Sequence, residues 1–384
     1  FQRVADVCQN GQRCSGRSDV GLCGGCHNRG RIIIYSQNTM AVYLGLLMFS
    51  FIVTCVAIVP FIDFLFAKKF TRKDERSQVE PGDTEAFRKL HALHNQKVGT
   101  PIGGGILIIL IVSLLFAIML PLLSRMGLYV TSAFPLKEEL NIIFFTFISF
   151  GILGLYDDIM KIFGFSKTGF FGLRMRHKFI IQVILSLIVS LMLYINLKID
   201  IINIPFFGVI KMGIGYVPMA AFLIMAFTNS FDFTDGVDGL SCGTLLVCLL
   251  AFWILSMSFL DTPLSIFIAL WIGALIAFLY FNVYPARIWL GNAGGLAFGA
   301  TLGVVGLLLG KPVALIIIGG VFVVEGASSF LQIIGFRLFG KRVFPIAPIH
   351  HWLQVIGWPE PKIVMRGWLV SIILAIFGLW LAML

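Results

Sequence analysis

Long runs of apolar residues recur along the chain and are separated by short polar segments. Most runs approach the roughly 20 residues that a helix needs to cross a bilayer. The runs are continuous rather than alternating, which favours helices over the strands of a membrane β-barrel. The pattern predicts ten membrane-spanning helices, near residues 40–66, 102–123, 140–156, 179–197, 214–230, 241–260, 264–281, 294–309, 313–335 and 363–383.

Composition supports the same fold class. Apolar residues make up 58% of the 384 residues and charged residues 12%, against roughly 25% charged in an ordinary soluble domain. These values exclude a soluble enzyme, a disordered chain and a fibrous protein. One apolar stretch, 199–210, is too short to span and contains Pro205 and Gly208, so we expect an external hairpin there. The predicted fold is an all-α integral membrane protein.

Lys and Arg lie mainly on one side of the predicted bundle. Of the 29 cations, 19 fall on the side of the loops near 67–101, 157–178, 231–240, 282–293 and 336–362. Cytoplasmic loops carry an excess of Lys and Arg, so this side is predicted to be cytoplasmic and both termini to lie outside. The net charge of +10 is then explained by cytoplasmic loops, and nucleic acid is not an expected partner.

Residues 1–39 form a tail before the first span. The tail contains four cysteines, including the pair Cys23 and Cys26. A zinc site and a disulfide are two interpretations. The third, which we favour, is that the tail is not part of the functional protein and that Met40 is the natural start. The expected organisation is therefore a tail, 1–39, and a ten-helix functional domain, 40–384.

Carboxylates gather on the predicted cytoplasmic side. Asp157 and Asp158 end the third predicted span, and Asp232, Asp235 and Asp238 lie between the fifth and sixth. A single such residue is most simply a helix cap, but five on one face favour a functional site. Aspartates with nearby Lys and Arg are typical of a site for phosphate and Mg²⁺.

The spacing of these residues adds detail. Asp157 and Lys161 are four residues apart, so they share a helix face if the third span continues, whereas Asp158 points elsewhere. Four polar residues recur at every third position: Asn229, Asp232, Asp235 and Asp238. Gly236 and Gly239 predict that the helix breaks there.

Two further segments are candidates on the same side. Residues 94–105, HNQKVGTPIGGG, form either a glycine-rich phosphate loop or a helix start whose glycines permit close packing. Residues 344–351, FPIAPIHH, contain two prolines that prevent an uninterrupted helix. Their paired histidines, His350 and His351, indicate a substrate or metal role; the alternative is a solvated loop.

Five segments of the chain carry a combined pattern: HNQKVGTPIGGG (94–105), YDDIMK (156–161), NSFDFTDGVDGL (229–240), FNVYPARIWLGNAGGLAFG (281–299) and APIHHWLQVIGWPEPKIVMRGW (347–368). Together they resemble the phospho-N-acetylmuramoyl-pentapeptide transferase family, within the polyprenyl-phosphate N-acetylhexosamine-1-phosphate transferase superfamily. The resemblance runs from about residue 40 to the end, and the last segment is the most specific to this branch.

The resemblance implies a reaction in peptidoglycan synthesis. Undecaprenyl phosphate attacks UDP-N-acetylmuramoyl-pentapeptide, lipid I forms and UMP leaves, with Mg²⁺ required. It implies a site between ten helices, facing the cytoplasm from the bacterial inner membrane. The implied partners are these two substrates and the lipid bilayer, and a homodimer is left open.

The resemblance also implies roles for individual residues. The implied catalytic residues are Asp157, Asp158, Asp235 and His350. The implied substrate-binding residues are Lys97, Thr100, Lys161, Arg176, Lys178, Asn229, Asp238, Asn282, Trp289 and His351. Asn282 and Trp289 match positions that bind and stack on uridine. The candidate metal residues are Asn292 and Asp232.

Several positions depart from the family pattern. The family usually has Asp where this chain has Asn292, and Asn where this chain has Asp232, so the number of carboxylates is preserved. Trp352 replaces the third histidine of a triplet. Two rival functions are a transferase for N-acetylglucosamine-1-phosphate and a catalytically silent paralogue. A transporter is disfavoured because the charges gather at one membrane face rather than at the midplane.

Overall fold

The structure is a computed structural model that describes residues 24–72, 88, 97–127, 129–163 and 175–384. The predicted cysteine chemistry of residues 1–23 and the first three residues of segment 94–105 lie outside the described residues. The chain divides into two units, Phe1–Val42 and Tyr43–Leu384. The described part of the first unit is helical, and the second unit carries all the candidate site residues.

Helices account for almost all of the regular structure in the described residues. They are α1 (Gly24–Ala67), α2 (Gly104–Arg125), α3 (Leu136–Phe163), α4 (Met175–Ile195), α5 (Tyr216–Thr234), α6 (Leu240–Ser258), α7 (Thr262–Asn282), α8 (Gly291–Leu308), α9 (Pro312–Ile318), α10 (Gly320–Phe339), α11 (Ile349–Val355) and α12 (Glu360–Met383). A 3₁₀ turn, Gly213–Gly215, precedes α5.

Ten helices in the described ranges are long and apolar enough to cross a membrane, which confirms the predicted fold class. The predicted hairpin is also present: β1 (Ile201–Ile204) pairs antiparallel with β2 (Gly208–Lys211), with Ile201 opposite Lys211. The predicted break between the fifth and sixth spans is confirmed, because α5 ends at Thr234 and α6 begins at Leu240.

Two predicted boundaries differ from the structure. Helix α3 continues seven residues past 156, to Phe163, so Asp157 and Asp158 lie inside a helix instead of ending one. The single span predicted over 313–335 is instead two helices, α9 and α10, interrupted at Gly319. A side chain at Gly319 would collide with the ring of Phe227, so close packing against α5 coincides with the interruption.

Helix α8 lies at the centre of the bundle and is the most buried of the candidate spans. It packs most extensively against α3 and α5. An aromatic cluster joins it to its neighbours: Phe147 on α3 lies 5.8 Å from Phe298 on α8 and 5.3 Å from Trp271 on α7, measured between ring centroids. This packing fixes the N-terminus of α8, where several candidate site residues meet.

Candidate active site

The N-terminus of α8 is held by a carboxylate from α3. Asp158 Oδ1 accepts a hydrogen bond from the backbone N–H of Asn292, and Asp158 Oδ2 accepts one from Ala293, both at 3.0 Å. A carboxylate there satisfies amides that have no partner within the helix and complements the positive end of the helix dipole. Asp158 therefore caps α8 from a neighbouring helix.

Glycine makes this close approach of α3 and α8 possible. A Cβ on Gly154, one helical turn before Asp158, would collide with the backbone of Asn292. Gly291 has φ of +78°, and a Cβ there would lie 2.8 Å from Asp158 Oδ2. Because both positions are glycine, α3 and α8 approach closely and the Asp158 carboxylate lies directly against the start of α8.

Asp157 lies one residue earlier and is surrounded by nitrogen atoms. Its Oδ2 lies 3.2 Å from Nζ of Lys161 and 3.2 Å from Nζ of Lys178, and it accepts a hydrogen bond from the side-chain amide of Asn292. Lys178 Nζ also lies 2.9 Å from Asp232 Oδ2. Two carboxylates from α3 and α5 therefore face one ammonium group.

Asp235 follows the last residue of α5 and lies in the turn that leads to α6. The hydroxyl of Ser241 donates a hydrogen bond to Asp235 Oδ1. Burial raises the pKa of Asp235 to about 7, the negative charges of Asp232, Asp238 and Asp158 act in the same direction, and the Ser241 hydrogen bond opposes them. Asp235 can therefore bind or release a proton near neutral pH.

Three segments distant in sequence form a small backbone layer beside these acids. Thr71 forms an antiparallel bridge with Pro101, and Ile102 forms a parallel bridge with Trp289. The layer brings the guanidinium of Arg72 to 4.5 Å from the ring centroid of Trp289. Because each segment fixes the next through backbone hydrogen bonds, the position of Trp289 depends on all three.

Lys97 connects this layer to α12 and to the turn between α5 and α6, residues 235–239, which is called the acidic turn below. Its Nζ donates to Asp238 Oδ1 at 2.7 Å and to Glu360 Oε2 at 2.6 Å, and it lies 5.5 Å from the ring centroid of Trp289. The other oxygen of Asp238 accepts from the backbone N–H of Ala286 at 3.1 Å. Lys97 is thus a cation placed between two carboxylates and an aromatic face.

The two histidines have different surroundings. His350 is fully buried, and its backbone N–H and Nδ1 both contact the carboxylate of Glu325 on α10, with Nδ1 3.1 Å from Oε2. Its Nε2 has no hydrogen-bond partner among the described residues and lies against Gly236. His351 Nδ1 lies 2.9 Å from Gln354 Oε1. The unpaired nitrogen of His350 therefore faces the turn that carries Asp235.

Asn282 and Trp289 line a small cavity together with residues of the acidic turn, Asp235 and Asp238 among them. Asn282 donates through Nδ2 to the backbone oxygen of Ile288 at 3.0 Å. Its Oδ1 is buried and has no hydrogen-bond partner in the part of the chain that is described. An unpaired buried acceptor is costly, so this oxygen is available to a ligand that brings an N–H donor.

Three predicted residues lie at the margin of this arrangement. Thr100 is half-buried, and its backbone oxygen accepts from the N–H of Arg72 at 3.0 Å. Asn229 donates within α5, from Nδ2 to the oxygen of Met225 at 2.9 Å. Arg176 is exposed at the start of α4.

Sequence reasoning missed Arg72, Glu325 and Glu360 as parts of the site. Glu325 could have been identified from the sequence, because an acid inside a predicted membrane span is a functional candidate by default. Glu360 lies in the segment that carried the resemblance, but nothing in the sequence indicated its contact with Lys97. The partners of both acids became visible only from the tertiary structure.

Comparisons with known proteins identify similar transferases. The model of glycosyl transferase family 4 matches residues 140–310. The phospho-N-acetylmuramoyl-pentapeptide-transferase of Clostridium novyi (strain NT) is 35% identical over 287 residues, covering 74% of this chain and 83% of the relative. That of Geobacillus sp. (strain WCH70) is 32% identical over 336 residues, covering 87% of this chain and 96% of the relative.

The fold and the matched region define the class of protein: a multi-pass membrane transferase of the glycosyl transferase family 4 type. The identity and coverage of the relatives narrow the class further. The chain belongs to the phospho-N-acetylmuramoyl-pentapeptide-transferase family.

Proposed function

We propose that the protein transfers phospho-N-acetylmuramoyl-pentapeptide from its UDP conjugate to undecaprenyl phosphate, giving lipid I and UMP. The observation that carries this proposal is the meeting of acids and cations at one end of the bundle, where Asp157, Asp232 and Asp235 lie with Lys97 and Lys178. The names of the relatives give the substrate class. Carboxylates and lysines together suit phosphoryl transfer, in which positioning and charge stabilisation supply most of the catalysis.

In this reaction an oxygen of undecaprenyl phosphate forms a bond to the β-phosphorus of the UDP conjugate. The bond from that phosphorus to the oxygen bridging to the α-phosphate breaks, and UMP leaves with the electron pair. Lys97, Lys161 and Lys178 offset the negative charge on the phosphates. Asn282 Oδ1 accepts from an N–H of the base, and Trp289 provides a ring face for stacking.

The aspartates and His350 have separate roles in the proposed reaction. Asp235, with a pKa of about 7, accepts a proton from the attacking phosphate when that phosphate arrives protonated. Asp157 forms ion pairs with Lys161 and Lys178 and keeps both lysines in place. Asp158 has its oxygens on the amides of α8 and acts by positioning Asn292. His350 presents Nε2 to the same turn and binds substrate there.

The donor set also fits Mg²⁺. Asp157 and Asp232 already converge on one cationic atom, Lys178 Nζ, and Mg²⁺ is usually bound by one or two carboxylates together with substrate phosphates. Asp157 and Asp232 would hold the ion, with the amide oxygen of Asn292 as a neutral ligand. When bound, the ion supplies positive charge to the transferred phosphate.

The proposed location is the bacterial inner membrane, with the site on the cytoplasmic face. Membrane enzymes of this kind take their lipid substrate from the bilayer and their nucleotide substrate from the cytoplasm, which agrees with the 19 cations placed on that side. The proposed partners are therefore undecaprenyl phosphate, UDP-N-acetylmuramoyl-pentapeptide and the bilayer.

The test is an assay of UMP release in proteoliposomes containing the purified full chain and undecaprenyl phosphate. We expect release with UDP-N-acetylmuramoyl-pentapeptide and Mg²⁺, none after chelation by EDTA, and release at least about 100-fold slower in Asp157→Asn. Release with UDP-N-acetylglucosamine instead would identify the rival transferase. A folded protein that releases no UMP from either donor would contradict the proposal and favour the silent paralogue.

A further inference from the structure

Glu360 makes an unusual contact for a residue outside the acidic turn. Its Oε2 lies 2.6 Å from Lys97 Nζ, closer than Asp238 Oδ1 at 2.7 Å. The exposed fractions of the side chains are 11% for Lys97, 4% for Asp238 and 11% for Glu360. Ion pairs with so little water around them interact strongly, so Lys97 is neutralised from two sides in this structure.

A chain of hydrogen bonds fixes Glu360 in this position. Its other oxygen, Oε1, accepts from Gln354 Nε2 at 3.0 Å, and Gln354 Oε1 lies 2.9 Å from Nδ1 of His351. Asp238 is fixed on the other side by the backbone of Ala286. The carboxylates on both sides of Lys97 are therefore held by the fold, and the lysine is the longer and more adaptable partner.

A phosphate that binds Lys97 has to compete with these carboxylates. Lys97 carries one positive charge, and the two carboxylates together carry two negative charges, so the group has a net negative charge before substrate arrives. The affinity for an anionic ligand is therefore reduced, by an amount that depends on the fraction of molecules in which Lys97 is not paired with the carboxylates. Asp238 belongs to the acidic turn already assigned to the site, whereas Glu360 comes from α12.

We propose that Glu360 is a positioning residue that acts as a displaceable counter-ion for Lys97 and weakens the binding of nucleotide diphosphate. The inference rests on the proposed function, because it takes Lys97 as a phosphate-binding residue. In the absence of nucleotide, Glu360 holds Lys97 beside Asp238 and Trp289. When nucleotide binds, the phosphate replaces Glu360 as the partner of Lys97, and when product leaves, Glu360 takes the lysine back.

A simpler role for Glu360 makes a different prediction. Glu360 is the first residue of α12, where a carboxylate stabilises the helix through its dipole. If that were its only role, removing the charge would loosen the start of α12 and would leave nucleotide binding unchanged or weaker. A counter-ion role predicts tighter binding, so the direction of the change separates the two.

The experiment measures UDP binding to the purified full chain in detergent by isothermal titration calorimetry, at fixed Mg²⁺. UDP carries both phosphates of the donor. Glu360→Gln keeps the size of the side chain and removes its charge, and we expect UDP to bind about fivefold more tightly or better. The matched control is Glu138→Gln, at the far end of α3, whose carboxylate accepts from Asn196; it should leave UDP affinity unchanged.

A double-mutant cycle tests whether the effect passes through Lys97. Lys97→Met should weaken UDP binding, and Glu360→Gln should have no further effect in that background. If Glu360→Gln unfolds the protein, Glu360→Asp replaces it, because a shorter carboxylate withdraws from Lys97; UDP should then bind more tightly than to wild type, by less than the full effect.

The outcomes separate the two proposals. Unchanged or weaker UDP binding in folded Glu360→Gln would overturn the counter-ion role, as would a gain that persists in the Lys97→Met background. Unchanged UDP binding in Lys97→Met would instead contradict the phosphate-binding role of Lys97 and with it the proposed function at this residue.

Discussion

The carboxylate of Asp158 accepts the backbone N–H of Asn292 at 3.0 Å, and through this bond α3 holds the first turn of α8. The neighbouring acid, Asp157, instead contacts the side chains of Lys161, Lys178 and Asn292. Adjacent aspartates therefore have separate tasks, one directed at the backbone of α8 and the other at charged groups. This difference makes them distinguishable by experiment.

Asp158→Asn should lower both stability and activity. The two N–H groups of Asn292 and Ala293 go to different oxygens of Asp158, and an amide replaces one of these oxygens with an NH2 group that can only donate. We expect the protein to lose about 1 to 2 kcal/mol of stability, as when a helix cap is removed, and about 100-fold in turnover, because the site residues at the start of α8 are misplaced. Thermal unfolding in detergent and UMP release measure the two effects. Lost turnover with unchanged unfolding would argue against the capping role.

Asp157→Asn and Asp235→Asn should each reduce turnover by at least about 100-fold, which is the lower end of a general acid–base contribution. Loss of a metal ligand would have a similar size, so UMP release tests the location of the site and not the role of each acid. Asp200→Asn is a suitable control, because Asp200 pairs with Lys211 at the hairpin. Near-normal rates in both variants would show that the assigned site is wrong.

The raised pKa of Asp235 predicts the pH dependence of the reaction. If the ionised form accepts a proton, kcat/KM should rise with pH to about 7 and then level off. Ser241→Ala removes the hydrogen bond that lowers this pKa, so the midpoint should move to higher pH. Ser258→Ala, at the other end of α6, is the control. A midpoint that stays in place in Ser241→Ala would exclude Asp235 as the titrating group.

The same pKa has a consequence for stability with a defined sign. An aspartate in an unfolded chain has a pKa of about 3.9, so between roughly pH 4 and 7 the folded protein binds this proton more tightly than the unfolded chain does. The contribution of Asp235 to stability therefore falls as pH rises through this range. Asp235→Asn should flatten that part of the stability profile, as measured by thermal unfolding at several pH values.

Asp232 and Asn292 should be coupled through Mg²⁺. Asp232 contacts Lys178, Asn292 contacts Asp157, and Lys178 and Asp157 contact each other. Asp232 supplies the negative charge that the amide of Asn292 lacks. We expect Asp232→Asn to raise the Mg²⁺ concentration needed for half-maximal activity, and added Asn292→Asp to restore much of it. Titration of Mg²⁺ in the four variants measures the coupling. Additive effects, or no shift in Asp232→Asn, would reject it.

The architecture could be predicted from the sequence because apolar runs and helix-breaking glycines are local features of the chain. Each span is a continuous apolar run, and the break between α5 and α6 follows from Gly236 and Gly239. The interruption at Gly319 was not predicted, because residues 313–335 are apolar throughout and the ring of Phe227 that packs against Gly319 lies on another helix. Asp157 and Lys161 were predicted to share a helix face if the third span continued past residue 156. The structure shows that α3 does continue, to Phe163, and that the two side chains form an ion pair.

The candidate site could be predicted as a set of residues but not as a set of contacts. Asp158 was expected to point away from Asp157 and Lys161, and it does, but its target on α8 lies 134 residues further along the chain. Glu325 and Glu360 each depend on a partner in a different element, His350 and Lys97. Contacts of this kind have no periodic signal, so tertiary structure alone reveals them.

The contact between Lys97 and Glu360 joins positions 263 residues apart, and this separation affects biosynthesis. Trp368, also on α12, donates to the backbone oxygen of Gly239 at 3.1 Å, so the acidic turn too is completed by that helix. Ribosomes add about 5 to 20 residues per second, so α2 to α8 are synthesised seconds to tens of seconds before α12. Throughout that interval the nascent chain contains the acids and lysines of the site without their last partners. Assembly of the finished site therefore waits for insertion of α12.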